Sequence, residues 1–350
     1  MGFLRTGGYV PVAGRNLPTY LTANGGGAPR RQAGLLPLGL VSTTAGPRFV
    51  GVPLDQTLFA FIAGGSGSGK TTLSMVQALH LSMVERLGIL FVDPTYGAVR
   101  RLKPYLAGAG ASVQSRVVEI DFSGIGGRPQ PGWNLFDVAG LHPAQMVGRA
   151  AVIAEAFLAA SGWDRAMAPR ASNLLMQAAQ SLIELSTVLV ERKREDIQPT
   201  VFQIVSILTK ERWRKAVIPH LSQSLKDFWE NRLEGFEKTA IPPATNLLDT
   251  MRHMPGIVNV LGQSRSAYNS RRAMDDGQIV LICTGPGEAG KLAANLVVFD
   301  ALRAALSRAD VPERSGRSSA SSWTSCSATT CGRFLRSSTS CDSSASAPSG

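Results

Sequence analysis

The chain has 350 residues, 44% of them apolar, which is enough to bury one or two sizeable cores and excludes a wholly disordered protein. Its formal net charge of +11 lies partly outside the central region: residues 1–50 carry five arginines and no acidic residue, whereas residues 51–306 carry 26 basic and 22 acidic side chains. This nearly balanced central region gives little support for nucleic-acid binding from charge alone.

The first 48 residues are rich in Gly, Pro and Thr and show little periodicity. We therefore expect a flexible basic arm there, or the remainder of a missing domain, followed by a short strand over residues 49–54. Residues 1–27 have no continuous apolar segment of the signal-peptide type, and no stretch reaches the roughly 18 apolar residues of a membrane span. Membrane association is then expected only through partners.

The four cysteines form no CxxC pair, and no histidine follows His253, so neither a zinc site nor a disulfide framework is predicted. This usage favours a reducing, cytoplasmic location. The cysteines are Cys283, Cys326, Cys331 and Cys341.

A glycine-rich stretch, FIAGGSGSGKTT over residues 61–72, fits the pattern G-x-x-x-x-G-K-[ST] of the Walker A motif. An apolar, β-prone run over residues 57–63 precedes it, and apolar residues at helical spacing over residues 73–87 follow it. Strand, loop and helix form the context that a P-loop requires. The residues predicted to bind nucleotide are Gly64, Gly65, Ser66, Gly67, Ser68, Gly69, Lys70, Thr71 and Thr72.

The chemistry of this loop follows from its residue types. Small residues let the backbone curl so that successive N–H groups point at a phosphate, and the helix that begins near Lys70 adds its positive end. Lys70 would contact the β- and γ-phosphates of ATP, and the hydroxyl of Thr71 would bind Mg²⁺. The alternative is a Gly/Ser linker that happens to end in Lys-Thr, and the flanking strand and helix patterns argue against it.

Two apolar runs that end in an acid, Ile89–Asp93 and Val117–Asp121, and a third over residues 278–284 predict buried parallel strands. Helical spacing over residues 291–308 predicts a helix that covers them. Between residues 141 and 274 the spacing is helical and strand signals are nearly absent. We therefore expect an α/β protein, with a nucleotide-binding domain over residues 49–140 and 275–310 and an all-helical insertion over residues 141–274.

From Phe49 to about Asp310 the order of these pieces resembles the conjugative coupling-protein (TraG/TraD-like) branch of the FtsK/HerA superfamily of P-loop ATPases. The pieces that match are the phosphate loop, the Asp-Pro pair at residues 93–94, the strand VVEID followed by WNLFD at residues 133–137, and the helical region. Residues 274–306 are similar to the family's gate strand and the helix after it.

The resemblance implies a RecA/FtsK-like fold and a ring, hexameric in the family, in which ATP hydrolysis drives DNA translocation during conjugation and type IV secretion. It implies as partners single-stranded DNA or a nucleoprotein, other copies of this chain, a relaxase and a secretion channel. In such rings a neighbouring subunit donates an arginine to the γ-phosphate, and Arg265, Arg271 and Arg272 are candidates. Each could equally be an ordinary solvated arginine.

Asp93 lies at the carboxyl end of its predicted strand, where the resemblance implies that an acid orients the attacking water. The family continues with Gly and an acid, whereas residues 95–98 here supply no carboxylate, so the role of Asp93 stays open. The family also places an apolar strand ending in Asp-Glu, the Walker B motif, soon after the helix predicted at residues 291–308.

No such strand can be read in this chain. Residues 315–350 contain 14 serines, one Asp and no Val or Ile, so we expect residues 311–350 to be a disordered tail or a segment translated out of frame. In the shifted frame, codons for residues 322–327 can spell Val-Asp-Glu-Leu-Gln, and those for residues 337–348 can spell an amphipathic helix. The 350-residue chain would then be truncated and would bind nucleotide without hydrolysing it.

Three other functions fit the motif. A HerA-like DNA-processing ATPase would share the fold and act outside conjugation. A catalytically inactive nucleotide-binding protein would use ATP only to order an assembly. A small-molecule kinase would use the same loop, but the helical region of roughly 130 residues and the absence of a readable acceptor site argue against it.

Overall fold

The structure is a computed structural model that describes residues 34–44, 46–54, 57, 60–141, 146, 148–163, 166–236, 241–310 and 324–327. Its strands are β1 (Leu35–Thr43), β2 (Gly46–Pro53), β3 (Ile89–Asp93), β4 (Val117–Asp121), β5 (Ile279–Cys283) and β6 (Thr324–Ser327). Its α-helices are α1 (Lys70–Met83), α2 (Gly97–Ala107), α3 (Ala111–Gln114), α4 (Arg149–Ala160), α5 (Pro169–Glu191), α6 (Gln203–Thr209), α7 (Glu211–Val217), α8 (Gln223–Asp227), α9 (Ile241–Arg252), α10 (Pro255–Leu261), α11 (Ser270–Asp275) and α12 (Gly287–Leu306).

Four strands form a parallel sheet in the order β4-β5-β3-β6. The register places Asp93 opposite Cys283, and Cys283 opposite Asp121, so that three strands end at the same level. Strands β1 and β2 form a separate antiparallel hairpin. The chain is therefore an α/β protein, as the alternation of strand and helix signals predicts.

Both faces of the sheet are covered, which explains why β3 and β5 are apolar and buried at nearly every position. Phe91 and Leu281 face a cluster that includes α1, α2 and Leu36 of the hairpin. Val92 and Ile282 face a larger cluster built from the remaining long helices. The result is a three-layer arrangement with the sheet in the middle.

The regular structure described within residues 141–274 is helical throughout, in agreement with the spacing in that region. Helix α4 packs against both α12 and α5, which connects the helical region to the sheet. One continuous core contains Leu182 of α5, Leu292 of α12 and Val280 of β5, all with no exposed surface. The helical region thus shares a core with the sheet.

Two strand predictions near the phosphate loop need correction. The flexible arm expected over residues 1–48 is wrong from residue 34 onward, because β1 and the first part of β2 lie there. The strand expected over residues 57–63 is absent from the part of that run that the structure describes, residues 57 and 60–63. Both sides of β3 are occupied, by β5 and β6, so this segment has no place beside β3.

The serine-rich segment also differs from the prediction at one place. Residues 324–327 form β6, which runs parallel to β3 at the edge of the sheet. The other residues of the tail predicted over 311–350 lie outside the described residues, as do residues 1–33 of the predicted arm. Among the helices that the structure describes, none is both long enough and apolar enough to cross a membrane.

Candidate phosphate-binding site

The loop before α1 curls in the way that a phosphate-binding loop requires. Gly67 and Gly69 have φ angles of +76° and +89°, in the left-handed region that glycine adopts without strain. Ser68 N donates to the carbonyl of Gly65 at 3.3 Å, which closes a tight turn. Alternating left- and right-handed residues turn backbone N–H groups to one side and form an anion-binding concavity.

The side chain of Lys70, the first residue of α1, forms hydrogen bonds with the backbone of this loop. Its Nζ donates to the carbonyl oxygens of Gly64 and Gly65 at 2.6 and 2.7 Å. An ammonium group has three donors, so one N–H is left for an incoming phosphate oxygen. Residues 64–68 are exposed, and Lys70 and Thr71 are half-buried, so a ligand can reach the loop.

The loop lies at the carboxyl edge of the sheet. Helix α1 ends at Met83 and β3 begins at Ile89, so α1 runs antiparallel to the strands and its first turn lies beside their carboxyl ends. Ligands of parallel α/β sheets bind at this edge. Helix α1 also directs the positive end of its dipole there.

Asp93, the candidate for orienting water, caps the start of α2 in the structure. Its carboxylate is buried and accepts hydrogen bonds from Thr95 N and Thr95 Oγ1 at 2.9 Å, Ala98 N at 2.7 Å and Val99 N at 3.1 Å. These bonds satisfy the first N–H groups of α2. Each carboxylate oxygen accepts two hydrogen bonds, so Asp93 fixes the start of α2, and its role in orienting water stays a prediction.

Asp121, a residue that sequence reasoning missed, has the same arrangement at the end of β4. Its carboxylate is fully buried and accepts from the backbone N–H groups of Ser123 at 2.9 Å and Gly126 at 2.7 Å. Cys283 lies between Asp121 and Asp93 in the register, and burial raises the pKa of its thiol to about 11. An acid at the end of an apolar strand was the signal that could have identified this pair.

A second polar group at the same edge was also missed. Tyr96 Oη donates to Glu119 Oε1 at 2.8 Å, and Lys103 Nζ forms an ion pair with Glu119 at 2.7 Å. Tyr96 has a φ of +62°, which is uncommon for a residue with a side chain. The group fixes the turn between β3 and α2, so this edge of the sheet is held in place by side chains.

The three candidate arginines differ in accessibility. Arg271 is largely buried, donates to the carbonyl of Ser307 and lies 3.6 Å from Asp275. The side chain of Arg272 is 81% exposed and forms only a long 3.6 Å pair with Asp276 in the described part of the chain. Arg265 is exposed as well. Arg265 and Arg272 are thus exposed to solvent, whereas Arg271 connects α11 to the end of α12.

The donor set fits a nucleotide triphosphate with its magnesium ion. Mg²⁺ at such sites takes most of its ligands from phosphate oxygens and water, so a hydroxyl such as that of Thr71 beside the phosphates is sufficient on the protein side. Within the described residues no group of three or more His, Cys, Asp or Glu side chains could hold a metal ion on its own.

Comparison of the chain with protein-family models and with curated proteins found no match. The functional conclusion therefore depends on the geometry of the loop.

Proposed function

We propose that this chain binds ATP and Mg²⁺ through residues 64–72 and acts as a ring-forming, DNA-translocating ATPase of the conjugative coupling type. The observation that supports nucleotide binding best is the loop itself. Two glycines in the left-handed region and a lysine held against the carbonyls of Gly64 and Gly65 lie at the start of a 14-residue helix.

Each part of the loop has a defined task in this proposal. The N–H groups of residues 65–71 surround the β-phosphate, and Lys70 exchanges its carbonyl partners for the β- and γ-phosphate oxygens. The hydroxyl of Thr71 holds Mg²⁺, which neutralises charge that develops on the phosphates. An exposed arginine, Arg272 or Arg265, reaches the γ-phosphate of the adjacent subunit in the ring.

Hydrolysis also needs a carboxylate that polarises water, and Asp93 is engaged with α2. Strand β6 runs parallel to β3, so its carboxyl end points to the same edge as the phosphate loop. This is a suitable place for a strand ending in Asp-Glu, which the shifted reading frame would supply from residues 322–327. The placement of β6 supports the frame hypothesis without testing it.

The experiment compares two chains, the 350-residue chain and one in which the shifted frame is restored from about residue 313. We expect ATP hydrolysis by the restored chain, stimulated by single-stranded DNA and abolished by Lys70→Ala. We expect DNA binding to weaken with salt, with a log–log slope of about −0.9 per phosphate neutralised on a duplex and about −0.7 on a single strand. Binding of ATP without hydrolysis by both chains would contradict the motor assignment.

A second function is favoured by one observation. Both buried aspartates at the carboxyl edge, Asp93 and Asp121, accept hydrogen bonds from backbone N–H groups of the turns that follow their strands. A nucleotide-binding protein that uses ATP only to order its assembly needs no water-polarising carboxylate. Sedimentation with and without MgATP, together with an assay of phosphate release in the presence of DNA, distinguishes the assembly protein from the motor. Assembly that depends on ATP, without release of phosphate, would favour the assembly protein.

A further inference from the structure

A polar cavity of about 500 Å³ lies away from the phosphate loop, between α4, α11, α12 and the segment that follows β4. Helix α11 ends four residues before β5 begins, and the last turns of α12 lie beside α11 through the bond from Arg271 to Ser307. None of residues 64–72 lines this cavity, so it is distinct from the phosphate loop of the same chain.

Arg149 is the side chain that makes this cavity unusual. It is only 7% exposed and lines the cavity from the first turn of α4. Its Nε donates to the carbonyl of Leu135 at 2.6 Å, and within the described part of the chain this is the only hydrogen bond of its guanidinium. A guanidinium removed from water is costly unless its remaining donors find an acceptor.

The acidic side chains that line the cavity are already engaged elsewhere. Asp275 pairs with Arg308 at 2.9 Å, and Asp137 accepts from Ser266 N at 2.6 Å and from Gln198 Nε2 at 2.8 Å. Asp276 pairs with Arg272 at 3.6 Å. No carboxylate in the described part of the chain forms an ion pair with Arg149.

A second guanidinium, that of Arg303 on α12, lines the same cavity. Burial, with a smaller contribution from the charge of Arg149, lowers the pKa of Arg303 to about 10. Asp300, one turn earlier on α12, offsets part of this charge and accepts a hydrogen bond from Ser270 Oγ at 2.5 Å. Two positively charged groups that line one cavity, Arg149 buried and Arg303 half-buried, favour an anion between them.

We propose that this cavity is a binding site for a small anionic molecule, whose phosphate or carboxylate group is held by Arg149 with Arg303. The planar guanidinium of arginine matches both groups through paired N–H···O bonds. The volume is in the range of cavities that take small molecules. Because none of residues 64–72 lines the cavity, its ligand would be separate from the nucleotide bound by the same chain, and the inference does not depend on ATP binding.

The test uses the full chain with Lys70→Ala, which removes the phosphate-loop lysine as a competing site. Inorganic phosphate and succinate are titrated separately by calorimetry at constant ionic strength. We expect one of the two to bind with a stoichiometry of one. Adding Arg149→Gln should weaken this binding at least tenfold, and Arg303→Gln should weaken it as well. Arg194→Gln, at an exposed ion pair with Asp196, is the matched control and should leave it unchanged.

The two probes also identify the ligand class, since phosphate binding alone indicates a phosphorylated ligand and succinate binding alone a carboxylate. Circular dichroism checks the fold of each variant. If Arg149→Gln does not fold, the loss of binding is measured with Arg303→Gln alone. Absence of binding by both probes would overturn the proposal. Binding that both cavity variants leave unchanged would overturn it too.

Discussion

Gly64 and Gly65 are neighbours in the phosphate loop but differ in what an added methyl group would meet. A Cβ at Gly64 would lie 2.6 Å from Ser68 Oγ and 3.3 Å from Ser68 Cβ, whereas a Cβ at Gly65 would meet nothing within 4 Å. The carbonyls of both residues accept from Lys70. Of these two residues, only Gly64 has a position at which an added Cβ would collide with the side chain of Ser68.

Gly64→Ala should weaken MgATP binding about tenfold, or ~1.4 kcal/mol, because Ser68 must move and the loop loses its curvature. Gly65→Ala is the matched control and should change the affinity little. Titration of both variants with a fluorescent ATP analogue checks this. Equal affinities for the two variants would show that the loop does not bind nucleotide in this conformation.

The second prediction at residue scale concerns Asp93. Asp93→Ala removes the acceptor for the buried N–H groups of Ala98 and Val99, so we expect the free energy of unfolding to fall by about 2 kcal/mol. Asp249→Ala, at an exposed position of α9, is the control and should change it by less than about 0.5 kcal/mol. Urea unfolding measures both. An unchanged stability in Asp93→Ala would mean that the carboxylate is available for another task.

At the scale of elements, the hairpin β1–β2 holds helix α1 in place. Leu36 is 4% exposed within the cluster that contains α1, and Gln77 Nε2 donates to the carbonyl of Pro37 at 3.0 Å. The N–H of Gly34 donates to Glu85 just beyond the end of the helix at 2.8 Å. The segment predicted as a flexible arm thus positions the helix that carries the phosphate loop.

Leu36→Ala should lower the free energy of unfolding by about 2–4 kcal/mol, because it leaves a cavity against α1. Leu38, two residues along the same strand, is 42% exposed, so Leu38→Ala should cost less than about 1 kcal/mol. Chemical denaturation of both variants makes the comparison. Equal losses for the two would show that the hairpin does not pack on α1 as described.

The success of sequence reasoning varied among elements for physical reasons. Strands β3 and β4 begin and end at the predicted residues, because each is an apolar run that ends in an acid. Strand β1 was missed because Pro37 and Gly39 disrupt the pattern, and these residues lie at an irregularity in the pairing with β2. Residues 57–63 have a strand pattern, but a pattern does not show which segments find a partner in the sheet.

The candidate site, like the fold, was predictable only where the signal in the sequence is local. Residues 64–72 follow from a local motif, and the structure gives them a fitting conformation. The capping role of Asp93 depends on the turn into α2, and the difference between Arg271 and Arg272 depends on where α12 ends. Long-range contacts of this kind leave no periodic signal in the sequence.

At the scale of the whole molecule, the helical region and the sheet share one core, although the sequence suggests a separate insertion. Trp133 and Trp229 are both buried in this core, and Trp229 Nε1 donates to Ser181 Oγ at 2.8 Å. The fluorescence change of Trp133 and Trp229 on unfolding should therefore report loss of the shared core, while circular dichroism reports all helices.

We expect the thermal unfolding transitions followed by these two signals to coincide, because the sheet and the helical region lose their packing together. Two well-separated transitions would show that the helical region folds as an independent unit. Leu182→Ala, in the middle of α5, should shift both transitions to lower temperature by the same amount.

The proposed activity rests on binding of MgATP by the loop before α1. The measurement to make is an equilibrium titration of the purified chain with MgATP, in parallel with Lys70→Ala and with Lys215→Ala, a control that removes one exposed lysine elsewhere. We expect saturable binding by the chain, unchanged affinity in Lys215→Ala, and at least tenfold weaker binding, ~1.4 kcal/mol or more, in Lys70→Ala. Absence of binding at millimolar MgATP, or equal affinity in Lys70→Ala, would contradict nucleotide binding at this loop.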